Sequence, residues 1–220
     1  MTDSLIDSLL QYVGMEKVSL KNGKVTKKHP EIKLDVNALA QGYSVDVMAG
    51  FLEQRGVKHF LVEIGGEVKA RGKNPAGKYW QIGVDSPAEN NYQPGKDLQN
   101  IVTLKNKALA TSGNYRKFYT EHGIKYTHSI NPKTGQTVSH ELLSATIVTD
   151  RCITADALAT CCMVMGPQKA KELINALPNV EAYFILNNNQ GGYATWQSSA
   201  RACLGTNAVI NSKPQTANQK

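Results

Sequence analysis

Apolar residues recur at helical spacing in two stretches near the start of the chain. A spacing of three and four residues places side chains on one face of a helix. The first stretch predicts a helix over residues 3–13 that Gly14 ends, and the second predicts a helix that begins between Ala38 and Gln41 and ends at Gly56. The apolar positions are Leu5, Ile6, Leu9, Leu10 and Val13, and then Val45, Met48, Ala49 and Leu52.

Shorter apolar runs between turn residues predict strands. Asn22-Gly23 indicates a hairpin over residues 18–26, and the Pro-, Asn- and Gly-rich segment 86–97 indicates a surface loop. Further strands are predicted at 59–64, 67–70, 80–84, 100–104, 108–111, 125–130, 143–149, 181–186 and 193–197, and further helices at 114–121, from the cap Thr154 to Gly166, and from Pro167 to residue 176. Hairpins mixed with helices predict an α+β fold with mixed, largely antiparallel sheets packed with helices.

Length and composition fit an ordinary globular protein. With 220 residues, of which 41% are hydrophobic, the chain can bury a substantial core. We expect a single domain over residues 1–211 and a disordered polar tail over 212–220.

Charge and cysteine usage narrow the function classes. The net charge of +7 favours anionic ligands, but the lysines are scattered and no basic run is interleaved with aromatic residues, which argues against a nucleic-acid groove. The four cysteines include no CxxC pair, so neither a zinc site nor a disulfide framework is indicated. No stretch approaches the ~20 apolar residues of a membrane span. The first residues, 1–4, lack the features of a signal peptide.

Asp156 and Thr160 are the most informative pair of polar residues. They stand four positions apart, so a helix presents both oxygen ligands on one face. Oxygen donors suit Mg²⁺, which leaves its other positions to water and substrate phosphates. In the alternative interpretation, Asp156 is an ordinary acid near a helix start and Thr160 bonds to the preceding turn. The remainder of the helix is apolar nearly all round, which favours a buried acid that needs a partner.

The segment 35–46 is the second candidate. Asp35 or Asn37 could cap a helix in which Gly42 is merely a costly residue. Alternatively, Gly42 allows a ligand to approach backbone amides at a helix N-terminus, where phosphate groups bind. The residues alone leave the two interpretations with equal weight.

Three weaker candidates complete the set. Gly65-Gly66 permits a close backbone approach or forms a bulge. The segment 111–115, with Ser112, offers a phosphate cradle or a plain cap. His128 precedes the Pro-Lys-Thr-Gly turn at 132–135, and a solitary histidine is more often structural than catalytic.

Five segments in this order resemble the ApbE family of FAD:protein FMN transferases. They are 34–46, 62–67, 110–115, 128–135 and 155–160. The resemblance implies an ApbE-like, T-fold-like architecture and a bacterial, Mg²⁺-dependent enzyme that cleaves FAD, attaches FMN to a threonine of a partner protein by a phosphoester bond and releases AMP. The alternatives are an FAD pyrophosphatase that forms FMN and AMP, and a non-catalytic FAD-binding fragment.

The resemblance also implies roles for individual residues. The Ala38 carbonyl, the Asp156 carboxylate and the Thr160 hydroxyl would hold Mg²⁺, and Asp156 and His128 would act in catalysis. The residues implied to contact FAD are Asp35, Gln41, Gly42, Ser112, His128 and Ile130. The implied partner is an acceptor protein, such as a subunit of a respiratory redox pump, and the implied location is the periplasm or the bacterial envelope, where the family includes membrane-associated lipoproteins.

The chain departs from the family pattern in two residues and in length. Gln41 stands where a lysine is common, and Asn131 stands where an aspartate is common, so one charge contact to the cofactor and one acid in a turn are missing. Neither change affects an implied metal ligand. Family members usually have a further N-terminal portion with an aromatic residue that covers the flavin and a signal or lipoprotein segment. The expectation is therefore a chain that is truncated at its N-terminus relative to the family.

Overall fold

The structure is a computed structural model, and it describes residues 2–87, 95–114, 118–121, 124–127, 129–188, 192–198 and 210–212. These residues fall into two compact units. The smaller unit comprises residues 1–36 and 117–139, and the larger comprises residues 37–116 and 140–220. The predicted tail beyond Ser212 lies outside the described residues.

The described residues of the smaller unit include an α-helix and two hairpins. Helix α1 spans Asp3–Leu10 and is followed by a 3-10 turn at Met15–Lys17. Strands β1 (Val18–Lys21) and β2 (Lys24–Lys27) pair across the predicted Asn22-Gly23 turn, in which both residues have positive φ. The second hairpin of the unit pairs Phe118–Glu121 with Ile124–Thr127.

In the part of the larger unit that the structure describes there are three helices and two antiparallel sheets. The helices are α2 (Ala40–Gln54), α3 (Cys152–Met165) and α4 (Pro167–Ala176). The strands of the second hairpin in the smaller unit are numbered β8 (Phe118–Glu121) and β9 (Ile124–Thr127). The strands of the larger unit are β3 (Phe60–Ile64), β4 (Glu67–Arg71), β5 (Trp80–Asp85), β6 (Leu98–Leu104), β7 (Ala108–Gly113), β10 (Leu142–Thr149), β11 (Glu181–Asn188), β12 (Gly192–Gln197) and β13 (Ile210–Ser212). The large sheet has the order β12-β11-β10-β7-β4-β3, and the small sheet has the order β13-β6-β5.

Both faces of the large sheet are buried. In β11, Phe184 belongs to the apolar cluster that includes α3 and α4, whereas its neighbours Tyr183 and Ile185 belong to the cluster that includes β5 and β6. This alternation is the period of two that a strand imposes. Strand β10 lies in the middle of the sheet, so its hydroxyl residues Ser144 and Thr146 are buried along with its apolar residues.

The α+β prediction is confirmed, but two local predictions are wrong. A helix was predicted at 114–121, whereas residues 118–121 form strand β8, because β-branched and aromatic residues here find a pairing partner in β9. Thr154 was predicted to cap α3, but the helix begins two residues earlier, at Cys152. Strand β13 was not predicted at all, and it pairs with β6.

Candidate functional site

Helices α2 and α3 are in close contact at Gly42. This residue is buried, and a Cβ atom added to it would lie 2.5 Å from the Cys152 carbonyl oxygen and 2.8 Å from the Asp156 Cβ. Real Cβ atoms do not show such distances, so any larger residue would push the helices apart. The glycine that looked costly inside a helix is therefore required by packing.

Asp156 is joined directly to the start of α2. Its side chain is only 5% exposed, and its Oδ2 accepts a hydrogen bond of 2.9 Å from the Gly42 amide. In a regular helix this amide would donate to the carbonyl four residues earlier, which is that of Ala38. The next amide, that of Tyr43, does follow the helical pattern and donates to Leu39 at 2.9 Å. The structure thus brings Asp156 to the turn that contains the Ala38 carbonyl.

The environment of Asp156 favours a cation. Burial raises the pKa of this carboxyl, and the Gly42 amide lowers it in part. A buried carboxylate is costly unless it is protonated, hydrogen-bonded or paired with a positive charge. One backbone amide offsets only part of that cost.

Thr160 lies one helical turn further along α3, next to the end of β7. Its Oγ1 is 3.2 Å from the Ser112 Oγ, and either hydroxyl can be the donor. Both side chains are half-buried. The predicted i, i+4 face of α3 therefore points its carboxylate toward α2 and its hydroxyl toward β7, and it brings Ser112 into the same neighbourhood.

Asp46 holds the N-terminus of α3 in place, a role that the sequence did not reveal. Its Oδ1 and Oδ2 accept hydrogen bonds of 3.0 Å from the amides of Cys152 and Ile153, respectively, and Lys69 lies 3.2 Å from Oδ1. The residue at the cap position, Arg151, makes no side-chain cap. A carboxylate from α2 thus supplies the acceptor that a local Ser, Thr, Asp or Asn normally supplies.

Glu67 is a second functional candidate that the sequence did not reveal. It is the first residue of β4 and is only 8% exposed, and its Oε2 has no hydrogen-bond partner in the described part of the chain. Burial, followed by the negative charge of Asp156, raises the pKa of Glu67 to about 7. The only signal in the sequence was the glutamate that follows Gly65-Gly66, and an acid after a turn is normally exposed.

Gln41 and Gly65 lie against Glu67. Gly65 has φ of +67°, and a Cβ added there would collide with the Gln41 side-chain amide and lie 3.4 Å from the Glu67 Oε2. The glycine is therefore needed for its backbone conformation and for the space that it leaves. Gln41 itself is exposed.

The remaining predicted residues belong to the smaller unit. Asp35 is exposed and has an interaction partner, and Ile130 is 53% exposed and forms an isolated bridge with Thr137. Asn131 stabilises the predicted turn, because its side chain accepts a hydrogen bond from the Lys133 amide. His128 lies outside the described residues.

The donor set in the larger unit fits a magnesium ion better than a transition metal. Across the described residues there is no group of three His, Cys, Asp or Glu side chains that could hold a metal. The available donors are instead oxygen atoms of a carboxylate, a hydroxyl and a carbonyl, which match the hard-ligand preference of Mg²⁺ and its retention of water and phosphate ligands. The orphaned Oε2 of Glu67 adds a second negative group near Asp156.

Two surface clefts of the larger unit lie elsewhere. One, of about 280 Å³, is lined by residues that include Arg71 and Asp150, and the other, of about 440 Å³, by residues that include His59 and Trp80. Neither includes a predicted site residue. Among the helices that the structure describes, none is both long and apolar enough to cross a membrane.

Comparison with known proteins gives consistent matches. The model of the ApbE family matches residues 1–184. An FAD:protein FMN transferase of Haemophilus influenzae is 36% identical over 193 residues, which cover 86% of this chain and 54% of that protein. One of Vibrio cholerae is 31% identical over 199 residues, which cover 90% of this chain and 58% of that protein. The chain thus spans about half the length of these curated relatives.

Solved structures agree with the sequence matches. The flavin transferase ApbE from Vibrio cholerae has a TM-score of 0.79 and 31% identity, with 90% of this chain and 61% of that chain covered. The apo form of the Pseudomonas stutzeri flavinyl transferase ApbE also has a TM-score of 0.79 and 31% identity, with 91% and 60% covered.

Proposed function

Because the chain belongs to the ApbE family, we propose that it is an Mg²⁺-dependent FAD:protein FMN transferase. Its substrates are FAD and a threonine of an acceptor protein, and its products are the flavinylated acceptor and AMP. The activity is a proposal for this chain, since it spans only about half the length of its named relatives.

The observation that carries the proposal is the hydrogen bond between Gly42 and Asp156. It connects the two most informative sequence segments at one helix end. The N-terminus of a helix attracts phosphate oxygens, and a buried carboxylate beside it attracts a divalent cation. A diphosphate with its bound cation satisfies both.

Three groups of the larger unit would hold the cation: the Ala38 carbonyl, the Asp156 carboxylate and the Thr160 hydroxyl. When bound, Mg²⁺ supplies electrostatic stabilisation of the charge that develops on the diphosphate. Ser112 orients the Thr160 hydroxyl through their mutual hydrogen bond.

The protein residues position the reacting groups. The acceptor threonine oxygen forms a bond to the FMN phosphorus, the bond from that phosphorus to the bridging oxygen breaks, and AMP leaves. Asp156, which lies beside the proposed cation site, would accept the hydroxyl proton. His128 is proposed as a second group for proton transfer or for orienting the diphosphate.

Contacts to FAD are proposed for six residues. They are Asp35, Gln41, Gly42, Ser112, His128 and Ile130. The Gly42 amide is already engaged by Asp156, so its contribution is the close approach of backbone and ligand rather than a free N–H group. Gln41 offers an exposed amide in the place of a charge.

The acceptor and the compartment are proposals that follow from the family. We propose an acceptor of the kind found in respiratory redox pumps, and a periplasmic or envelope location. Both are tested by finding which envelope proteins carry FMN in cells with and without the gene.

Mass spectrometry tests the proposed activity directly. The protein is incubated with FAD, Mg²⁺ and a candidate acceptor, and we expect the acceptor to gain the mass of one FMN group at a threonine. Free FMN and AMP without an acceptor would instead identify an FAD pyrophosphatase. Binding of FAD without any product would identify a non-catalytic fragment.

Asp156→Ala tests the site. We expect it to abolish Mg²⁺-dependent FAD turnover. Asp150→Ala is the matched control, because Asp150 lies six residues earlier, is exposed and pairs with Lys107 on the surface. Near-normal turnover by the Asp156 variant would contradict the proposed site.

A further inference from the structure

Glu67 has the features of a cation ligand that no described residue satisfies. Its side chain is more than nine-tenths buried, and its Oε2 has no hydrogen-bond partner within the described ranges. Buried polar atoms are almost always paired, so an orphaned carboxylate oxygen requires an explanation. A structural glutamate would be expected to meet an amide, a hydroxyl or a basic side chain.

The charges around Glu67 are negative. Burial and the negative charges of Asp156 and Glu63 raise the pKa of Glu67, and a hydrogen bond from its own backbone amide lowers it. None of these groups is a cation. Lys69 lies two residues along β4, on the same face of the strand, but its ammonium group pairs with Asp46 at 3.2 Å. Glu67 and Asp156 are therefore neighbouring buried acids, and among the described residues neither forms an ion pair with a basic side chain.

Gly65 and the uncharged Gln41 side chain adjoin Glu67. Gly65 has positive φ, and a Cβ at this position would lie 3.4 Å from the Glu67 Oε2 and would strike Gln41. The Nε2 atom of Gln41 occupies the position that a Cβ at Gly65 would take, so an uncharged amide rather than a basic group lies beside Glu67. Two neighbouring buried carboxylates are stabilised by a divalent cation, which offsets both charges at once.

We propose that Glu67 is the second carboxylate of the divalent cation site, and that it presents Oε2 to the bound cation or to a water molecule on that cation. This inference rests on the proposed function, because it places Glu67 at the same cation as Asp156. It assigns to Glu67 a role in cation affinity that neither the sequence nor the named relatives indicate.

Binding of Mn²⁺, a paramagnetic substitute for Mg²⁺, tests the inference without FAD. Electron paramagnetic resonance of free Mn²⁺ gives the dissociation constant for the unaltered chain and for Glu67→Gln. The substitution keeps the shape and removes the charge, and we expect it to weaken Mn²⁺ binding about tenfold or more. Glu63→Gln is the matched control, because Glu63 is an exposed glutamate on the adjacent strand β3, and we expect less than about a twofold change, as for a screened surface charge.

Thermal unfolding separates loss of the site from loss of the fold. We expect Mg²⁺ to raise the Tm of the unaltered chain and of Glu63→Gln, because a ligand that binds the folded state stabilises it. Glu67→Gln should lose this Mg²⁺-dependent increase while its Tm without metal equals or exceeds that of the unaltered chain, since an unpartnered buried charge has been removed.

The outcomes distinguish this inference from the proposed function. Unchanged Mn²⁺ affinity in Glu67→Gln, together with lost affinity in Asp156→Ala, overturns the role of Glu67 and leaves the proposed site intact. If the unaltered chain binds no Mn²⁺ at all, the cation site of the proposed function is overturned, and the role of Glu67 with it.

Discussion

The Gly42 amide and the Asp156 carboxylate are joined by a hydrogen bond of 2.9 Å, although 114 residues separate them in the chain. The bond depends on the close contact of α2 and α3, which the absence of a side chain at residue 42 permits. Packing and site geometry are therefore coupled, because a change that separates the helices also moves the carboxylate away from the start of α2.

Gly42→Ala should destabilise the protein. Alanine normally stabilises a helix interior by about 1 kcal/mol relative to glycine, but here overpacking costs about 1–3 kcal/mol and a hydrogen bond is strained as well. Gly50→Ala is the matched control in the same helix, because a Cβ there meets nothing within 4 Å. In urea unfolding, the free energy of unfolding should fall for Gly42→Ala and rise slightly for Gly50→Ala. Equal changes in the two variants would contradict the packing role of Gly42.

Asp46→Asn should loosen the N-terminus of α3. Asparagine keeps one acceptor oxygen and turns an amide group toward the other backbone N–H, so we expect the free energy of unfolding to fall by about 1–2 kcal/mol, as for loss of a cap. The control is Glu53→Gln on the same helix, where an ion pair of 2.8 Å with Arg71 is well exposed. Its loss should cost at most about 1 kcal/mol. Indistinguishable unfolding curves for the two variants would argue against the capping role.

Thr160→Val should reduce cation affinity while Thr160→Ser retains it. Valine has the same shape but lacks the hydroxyl that would bind the cation and that contacts Ser112 at 3.2 Å. We expect a loss of about tenfold in Mn²⁺ affinity for valine and a much smaller change for serine. Ser112→Ala should have an intermediate effect, since it removes only the partner that orients the hydroxyl. A valine variant with unaltered affinity would exclude Thr160 as a ligand.

The metal-free protein should become less stable as the pH rises from about 4.5 to about 7. Burial and Asp156 raise the pKa of Glu67 from 4.5 to about 7 in the folded chain, so across this window the folded state holds more protons than the unfolded state. Unfolding then releases protons, and it becomes more favourable as the pH increases. Burial also raises the pKa of Asp156, which acts in the same direction.

Glu67→Gln tests this pH dependence. Removal of the titrating carboxyl should reduce the loss of stability with rising pH. The free energies of unfolding in urea, measured below pH 4.5 and above pH 7, should therefore differ less in the variant than in the unaltered chain. Glu63→Gln should reduce the decline only slightly, because the charge of Glu63 has the smallest effect among the groups that act on the pKa of Glu67. A decline of the same size in Glu67→Gln would show that other groups cause it.

The sequence by itself determined those features that depend on neighbours in the chain. Helical periodicity predicted α2, and the i, i+4 spacing predicted that Asp156 and Thr160 share a face of α3. The glycine-containing turn of the first hairpin was predicted for the same reason, because turn geometry is a property of two adjacent residues. These signals are local, so they survive without knowledge of the fold.

Only the tertiary structure decided which distant groups meet and which polar groups are buried. Asp46 caps a helix that starts 106 residues later, so no local pattern at Arg151 could reveal it. Residues 118–121 have a strand partner rather than a helical continuation. The burial of Glu67 depends on how β4 packs in the larger unit, and an acid after a glycine turn carries no sign of it. Hydrogen bonding across the chain and exclusion of water arise from packing, and packing is a property of the folded whole.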